Sequence, residues 1–177
     1  MMKTEAFPLG TDPEVALDFY FMLCSLESDA DRMSIVAATL ANNGVCPLTG
    51  DQVLSSRVVR DTLSIMFCCG MYDYSGQFAF SVGMPAKSGV SGALIVVVPN
   101  VLGYCTYSPR LDDYGNSSRG VLFSQMLEKR FKFHAFNLYQ DNMVSPFAKD
   151  LVYDLIEASA KGDFKHVQAI IHDIEND

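Results

Sequence analysis

The apolar pattern of this 177-residue chain changes near its middle, and this change constrains the fold more than any other feature. Apolar residues recur at helical spacing from residue 15 to residue 67. Ala93 to Val98 is instead an unbroken apolar run bounded by Gly92 and by Pro99-Asn100, which is typical of a short buried strand. Helices followed by antiparallel strands predict an α+β domain in which a helical layer covers a sheet.

Three helices are predicted before the strands. The first begins at Thr11-Asp12-Pro13-Glu14, where a capping side chain precedes a proline suited to the first turn. Asp29 is expected to cap the second helix. Asn42-Asn43-Gly44 is expected to end it, because glycine accepts the left-handed conformation of a helix C-terminus. Ser55 or Ser56 is expected to cap the third helix.

The second half of the chain is predicted to hold the sheet and two further helices. A short helix is expected over residues 76–82, because Phe78 and Val82 lie four residues apart. Residues 92–98 and the next predicted strand, residues 103–108, are within hairpin range of each other. Another helix is expected to begin at Asn116.

The charge and the hydropathy of the chain exclude two classes of partner. A net charge of −8 gives no electrostatic reason to bind phosphate backbones, so no nucleic acid is expected. No apolar run approaches the ~20 residues that a membrane span needs, so no membrane partner is expected either. The first residues, Met1-Met2-Lys3-Thr4-Glu5, contain no apolar signal stretch and no recognisable targeting peptide.

No cofactor and no metal are expected from the cysteines and histidines. The five cysteines lack C-x-x-C spacing, and most of them lie among apolar neighbours, so they are expected to be reduced and mostly buried. The three histidines have no metal spacing and are interpreted as structural or solvated. The cysteines are Cys24, Cys46, Cys68, Cys69 and Cys105, and the histidines are His134, His166 and His172.

Pro146 marks a predicted boundary between residues 1–145 and a helical tail, residues 146–177. In this tail, two short amphipathic helices are expected, one before and one after Lys161-Gly162-Asp163. The pattern resembles the start of an ankyrin repeat. A single repeat cannot bury its own apolar face, so the tail would need neighbouring repeats or another surface.

The segment Lys87-Ser88-Gly89-Val90-Ser91-Gly92 is the first candidate for chemistry. Its glycines would let a substrate lie against the backbone, a backbone N–H could donate to a developing oxyanion, and the lysine could favour an anionic group. Lys-Ser-Gly also matches the Lys-Thr/Ser-Gly element of serine β-lactamases and penicillin-binding proteins. The alternative is that Lys87 is a solvated turn lysine or pairs with a local acid.

A longer string around this segment resembles the serine-dependent glutaminases, and the tail points to the kidney-type and liver-type animal members. The match is closest from Cys69 to Asn100. It continues over Phe7-Pro8, Leu17-Asp18-Phe19-Tyr20-Phe21, Leu23-Cys24-Ser25, Ala38-Thr39-Leu40-Ala41-Asn42-Asn43-Gly44, Cys46-Pro47-Leu48-Thr49-Gly50, Ser108-Pro109-Arg110-Leu111-Asp112 and Gly115-Asn116-Ser117.

This resemblance implies an incomplete β-lactamase-like fold and the hydrolysis of L-glutamine to L-glutamate and ammonia by a serine in a Ser-x-x-Lys motif. On the matching positions, Tyr20 would contact the substrate. Tyr72 would lie beside the nucleophile and bind substrate or relay a proton, and the Val90 N–H would supply half of the oxyanion hole. The alternatives are that Tyr20 belongs to the core and that Tyr72 is an ordinary turn aromatic.

No Ser-x-x-Lys occurs in the 177 residues, so this chain alone is expected to be inactive. Its helical layer would then lack the other half of the domain and should expose Val36, Leu40, Val59 and Leu63. One alternative is a non-catalytic regulatory or interaction isoform that associates with full-length glutaminase subunits. Another is an ankyrin-linked binding module. The resemblance further implies a homo-oligomer and a mitochondrial location; otherwise the chain would be cytoplasmic.

Overall fold

The computed structural model describes residues 7–136 and 165–169, and residues 7–136 form five α-helices and a three-stranded sheet. The helices are α1 (Pro13–Cys24), α2 (Ala30–Ala41), α3 (Ser56–Cys69), α4 (Ser75–Ser81) and α5 (Ser118–Phe131). A 3₁₀ turn at Tyr72–Tyr74 joins α3 to α4. The strands are β1 (Ala86–Ser88), β2 (Ala93–Val98) and β3 (Leu102–Tyr107). The predicted α+β class is confirmed.

The first three helices begin where their capping residues predict. Asp12 accepts from the Glu14 N–H at 2.9 Å, and Asp29 accepts from the Arg32 N–H at 2.8 Å. Of the two serines proposed for α3, Ser55 is the cap. Each side chain satisfies a backbone donor that has no partner within its own helix.

The later helices show where local sequence reasoning is less accurate. Helix α4 lies one residue earlier than predicted, and Phe78 and Val82 are both buried as their spacing required. Helix α5 begins at Ser118 with Ser117 as its cap, so Asn116 precedes the helix. The Asn116 side chain instead donates a hydrogen bond to the Met71 carbonyl at 3.2 Å. This long-range contact competes with capping and cannot be seen in the local pattern.

The sheet has the order β1-β2-β3, and both pairs are antiparallel. The predicted hairpin of β2 and β3 is confirmed. Strand β1 was not predicted, because its three residues are too short to show an alternating pattern. Its pairing with β2 places Ser88, Leu94 and Thr106 in one row across the sheet.

Helices cover both faces of β2. On one face, Ile95 and Val97 pack against residues of α2 and α3. On the other face, Leu94, Val96 and Val98 pack against α4 and α5. The helical residues of the first cluster are Ala37, Leu40, Ala41, Val59 and Met66, and those of the second are Phe78, Val121 and Leu127.

The predicted exposure of the helical layer is wrong for two of the four residues named. Leu40 and Val59 are each only 5% exposed, because β2 covers them. Leu63 is partly buried against the same cluster, while Val36 is 47% exposed as predicted. The described residues therefore close much of their own core.

Helix α1 is not covered by the other described elements, since none of its residues is buried. Its large apolar side chains are exposed around the whole helix, so no face of the helix packs against the core of the described residues. They are Val15, Leu17, Phe19, Tyr20, Phe21, Met22 and Leu23. An exposed apolar surface of this kind favours association with another surface.

The cysteines are all free thiols, but the expectation that most are buried is wrong. Cys24, Cys68 and Cys69 are exposed, and Cys46 and Cys105 are half-buried. Helical spacing explains Cys68: it lies on the side of α3 opposite the buried residues Val59 and Met66.

The predicted boundary at Pro146 and most of the ankyrin-like tail lie outside the described residues. Residues 165–169 are helical, and Val167 packs against the cluster formed by β2, α4 and α5. None of the described helices combines the length and the apolarity that a bilayer crossing requires.

Gly103 provides a test of the packing between α2 and β3. A Cβ at Gly103 would lie 2.1 Å from the Ala37 carbonyl carbon, whereas a Cβ at Gly76 would have no neighbour within 4 Å. We expect Gly103→Ala to lower the free energy of unfolding by about 1–3 kcal/mol through overpacking. Gly76→Ala, within α4, should leave it unchanged or raise it. Equal denaturation midpoints for Gly103→Ala and the parent chain would contradict this packing.

The exposure of α1 predicts that the isolated chain self-associates. Replacing Val15 and Met22 by glutamate should weaken this association, because charge replaces exposed apolar surface. Leu48→Glu is the control, since Leu48 is equally exposed but lies outside α1. Sedimentation velocity measures the outcome, and a monodisperse monomer of the parent chain would contradict the prediction.

Candidate active site

Tyr72 lies directly after α3, in a backbone conformation that is unusual for a bulky residue. Its φ is +54°, within the left-handed region. Two residues earlier, Gly70 lies against β1, where a Cβ would come within 1.8 Å of the Ala86 carbonyl oxygen. The ring is 42% exposed, and its hydroxyl donates to the Ser88 carbonyl at 3.4 Å. Tyr72 thus connects the end of α3 to the end of β1.

Lys87 and Ser88 point to opposite sides of β1, as expected for neighbours on a strand. The Lys87 ammonium lies 4.8 Å from the centre of the Tyr72 ring and donates to the Ser88 carbonyl. Partial burial lowers the pKa of Lys87, and the nearby Cys69 opposes this effect. The local-acid interpretation is wrong for the described residues, where no carboxylate forms an ion pair with Lys87.

Val90 occupies the tight turn that joins β1 to β2. The Gly92 N–H donates to the Gly89 carbonyl at 3.0 Å, and the Gly89 N–H donates to the Ala93 carbonyl at 2.9 Å. Val90 is 78% exposed, and its N–H donates to no acceptor within the described residues. The turn therefore presents an unused backbone donor at the surface.

Gly92 fixes this turn against the segment that follows β3. Its φ is +95°, and a Cβ there would lie 2.7 Å from the Pro109 nitrogen. The Ser108 N–H also donates to the Gly92 carbonyl at 3.0 Å. Only glycine combines this positive φ with such a close approach of two backbone segments.

Tyr20 is on α1 and is 59% exposed, so the interpretation as a core residue is wrong. A hydrogen bond with Cys24 is the main factor that raises the pKa of Tyr20, followed by the charge of Cys24. Burial and the charge of Tyr72 make smaller contributions in the same direction. The structure therefore brings Tyr72 and Lys87 together at the end of β1, whereas Tyr20 lies on α1 and has no contact with either of them among those that the structure shows.

Two contacts around Tyr72 cannot be predicted from the sequence. Its ring lies over Gly115, where an added Cβ would be 3.8 Å from Cδ2 of the ring. The buried Ser75 side chain bonds to the backbone on both sides of Tyr72. In the sequence, Gly115 stands out only as part of a string that resembles the glutaminases, and nothing distinguishes Ser75 from other serines. Neither spacing nor composition reveals these contacts.

This arrangement supplies donors rather than a nucleophile. The Tyr72 hydroxyl, the Val90 N–H and the Lys87 ammonium can each donate to an anionic or carbonyl oxygen. Ser88 is 1% exposed and lies on the face of β1 opposite Lys87, so Lys87 cannot activate it. The described residues hold no group of three or more His, Cys, Asp or Glu side chains suited to a metal ion.

A comparison with known protein families shows which family the site and the surrounding fold belong to. The sequence profile of the glutaminases matches residues 1–136. The chain belongs to the glutaminase family. The match spans all the residues that form the site and both helical layers around β2.

The similar proteins are longer than this chain. It is 56% identical over 137 residues to the liver isoform of mitochondrial glutaminase from Rattus norvegicus, covering 77% of the chain and 23% of that protein. It is 51% identical over 144 residues to putative glutaminase 3 from Caenorhabditis elegans, covering 80% of the chain and 25% of that protein. The chain thus spans about a quarter of the length of the curated relatives it matches.

The fold is similar to that of solved glutaminases. One is the Bacillus subtilis enzyme in a covalent complex with 5-oxo-L-norleucine, formed by reaction with 6-diazo-5-oxo-L-norleucine. It superimposes with a TM-score of 0.68 at 33% identity, covering 71% of this chain and 45% of that chain. The helices around a three-stranded antiparallel sheet therefore form part of a β-lactamase-like glutaminase fold.

The contact between Tyr20 and Cys24 gives a titration test of this region. Cys24→Ala should lower the pKa of Tyr20, because it removes both the hydrogen bond and the thiolate charge that raise it. NMR titration of ring-labelled tyrosine measures the change, with Tyr20→Phe to assign the signal. Cys68→Ala is the control, since Cys68 is also exposed but is not among the groups that act on Tyr20. An unchanged Tyr20 titration in Cys24→Ala would contradict the contact.

Proposed function

We propose that residues 7–136 form one wall of an active site that hydrolyses L-glutamine to L-glutamate and ammonia. The observation that carries this proposal is the Val90 N–H, which has no acceptor among the described residues and lies in a closed turn directly after β1, where the Ser88 carbonyl accepts from the Tyr72 hydroxyl and the Lys87 ammonium. Membership of the glutaminase family supports it. The 5-oxo-L-norleucine bound covalently by the similar Bacillus subtilis enzyme also supports it. The ketone of this compound is at C5, the carbon that bears the side-chain amide in glutamine.

Each group has a distinct role in this proposal. The Val90 N–H donates to the oxyanion that forms when the amide carbonyl is attacked, where a preorganised backbone donor is most effective. The Tyr72 hydroxyl lies beside the reacting amide and transfers a proton towards the departing ammonia. Tyr20 contacts the substrate from α1. The Lys87 ammonium adds positive charge that favours an anionic group of the substrate.

We further propose that the 177-residue chain does not hydrolyse glutamine on its own. An amide is a poor electrophile, so its hydrolysis needs an activated nucleophile as well as oxyanion donors. No serine in the chain is followed by lysine three residues later. Ser88 is buried away from Lys87, and Ser91 lies in the glycine-rich turn without a lysine at the required spacing.

The partners and the location follow from the same proposal. L-Glutamine and L-glutamate are the proposed ligands. The proposed protein partners are further copies of the chain or full-length glutaminase subunits, since α1 has no buried residue and presents an apolar surface. A mitochondrial location is proposed because the similar rat protein is a mitochondrial isoform.

A second function is a non-catalytic role in interaction with full-length subunits. The specific observation in its favour is again α1, which no described element covers. Hydrolysis and interaction differ in what they require of Tyr72: hydrolysis needs its hydroxyl, whereas association through α1 does not.

Ammonia release from L-glutamine tests the proposed catalysis. The fused enzyme for this test joins the part of the rat liver-type glutaminase that precedes the matched region to the complete 177-residue chain. We expect the chain alone to release no measurable ammonia and the fused enzyme to release it. Tyr72→Phe in the fused enzyme should reduce turnover by about 10²–10⁴-fold, because a positioned proton donor is lost. Turnover by the chain alone that Tyr72→Phe also reduces would show that a nucleophile has been overlooked.

Val90→Pro in the fused enzyme tests the oxyanion donor, because proline has no N–H. Proline is well tolerated at the second position of a tight turn, which is where Val90 lies. We expect a loss of about 2.7–4 kcal/mol in transition-state stabilisation, measured through kcat/KM. Val90→Ala is the matched control, since it alters the side chain and keeps the N–H. A correctly folded Val90→Pro enzyme with parental turnover would rule out this role.

A further inference from the structure

The backbone of Tyr72 is strained and must be held by its surroundings. A bulky residue at a φ of +54° costs free energy, so this conformation persists only where neighbouring groups specify it. The hydroxyl of Tyr72 is a weak constraint, because its bond to the Ser88 carbonyl is long at 3.4 Å. The groups that fix the strained backbone must therefore lie elsewhere.

Asn116 holds this backbone from the side of α5. Its Nδ2 donates to the Met71 carbonyl at 3.2 Å, so it fixes the peptide group that leads into Tyr72. Asn116 is 0% exposed and Met71 is 1% exposed, so no water competes for this bond. The two residues are separated by 45 positions in sequence, and the bond joins the segment before α5 to the turn after α3.

Asn116 is itself held rigidly. Its N–H donates to Oδ1 of Asp112 at 2.9 Å, and its carbonyl accepts from the Asp112 N–H at 2.7 Å. Its Oδ1 is buried with no hydrogen-bond partner among the described residues. Burying an unsatisfied oxygen costs free energy, and an apolar or smaller side chain would avoid this cost. The contribution that an apolar side chain could not make is the hydrogen bond that the Asn116 amide donates to the Met71 carbonyl.

Ser75 holds the same backbone from the opposite side. Its hydroxyl accepts from the Met71 N–H at 3.0 Å and donates to the Tyr72 carbonyl at 2.6 Å. Ser75 is buried, and it bonds to the backbone of both the strained residue Tyr72 and the preceding Met71. Asn116 and Ser75 together bond to three of the four backbone polar groups of Met71 and Tyr72. The two carbonyls among them also accept backbone N–H groups, from Tyr74 and Ser75 respectively.

We propose that Asn116, together with Ser75, is a positioning residue that keeps Tyr72 in its strained conformation and so directs the Tyr72 hydroxyl at the substrate. The consequence for function rests on the proposed glutaminase activity, whereas the consequence for the geometry of Tyr72 does not. Neither side chain needs to contact the substrate, because both act through the backbone of residues 71 and 72.

The activity test is a double-mutant cycle in the fused enzyme. Asn116→Asp keeps the size of the side chain and removes its donor, and Ser75→Ala removes the hydroxyl. Each should lower kcat by about 10–100-fold with little change in KM, because a small displacement of a catalytic group is enough for such a loss. In a Tyr72→Phe background the same substitutions should have almost no further effect on kcat, because they act only through the missing hydroxyl.

Ser124→Ala is the matched control. Ser124 is also a buried serine with two hydrogen bonds, to the Tyr104 hydroxyl and the Gly120 carbonyl, but it does not contact Met71 or Tyr72. It should leave kcat close to the parental value even where it lowers the melting temperature. Losses of kcat that are as large in the Tyr72→Phe background as in the parent fused enzyme would overturn the proposal, because they would indicate a general structural role.

A second measurement uses the complete 177-residue chain and does not depend on activity. In the parent chain, NMR should detect close contacts between the Tyr72 ring and Gly115, over which the ring lies. Asn116→Asp and Ser75→Ala should weaken these contacts, and Ser124→Ala should not. If the fused enzyme were inactive but this pattern held, only the proposed function would fail. If the ring contacts survived in both variants, the positioning role itself would be wrong.

Discussion

Strand β2 is covered on both faces, and the position of the other elements follows from that cover. Five of its six residues are buried, so apolar side chains project to both sides of the sheet. A strand of this kind needs a layer on each face, which α2 and α3 supply on one side and α4 and α5 on the other. Gly103 of β3 lets α2 approach the sheet backbone directly, because a side chain there would collide with Ala37.

The same packing brings the candidate site together. Helix α3 ends at Cys69, and the Ser88 N–H donates to the Gly70 carbonyl at 3.0 Å, so the end of α3 is bonded to the end of β1. Tyr72 must then lie beside the turn that carries Val90. The site is thus a consequence of how the helical layer is attached to the first hairpin of the sheet, and both belong to the part of the chain that matches the glutaminases.

The sequence predicted the elements whose signals are local. Capping residues located α1, α2 and α3, and the run from Ala93 to Val98 located β2, because each signal depends on neighbours a few residues away. Strand β1 was missed because three residues cannot show a period. The local pattern predicts that α5 begins at Asn116, whereas it begins at Ser118. The sequence does not reveal that the Asn116 side chain bonds to Met71 instead of capping the helix, because this bond exists only in the folded chain.

The site residues divide in the same way. The resemblance to the glutaminases predicts roles for Tyr20, Tyr72 and Val90, and no periodic or compositional signal selects them. Val90 is also the first residue after Lys87-Ser88-Gly89, where the analogy with the serine β-lactamases places an oxyanion donor. The structure adds what that resemblance could not supply: the exposure of Tyr20, the strained φ of Tyr72 and the unpaired N–H of Val90. The contact between Lys87 and the Tyr72 ring was also unforeseen, because it depends on the conformation of the turn after α3.

The two proposed donors are held in different ways, and this difference bears on how the site would respond to a ligand. The Val90 N–H belongs to a turn closed by two backbone hydrogen bonds, so it needs no rearrangement when an anion approaches. The Tyr72 hydroxyl instead carries a long bond to the Ser88 carbonyl, which a ligand oxygen can replace at little cost. A side chain with so weak a bond at its tip can be accurate only if its backbone is fixed. The strained backbone of Tyr72 and the buried hydrogen bonds that hold it in this conformation are therefore as much a part of the site as the hydroxyl is.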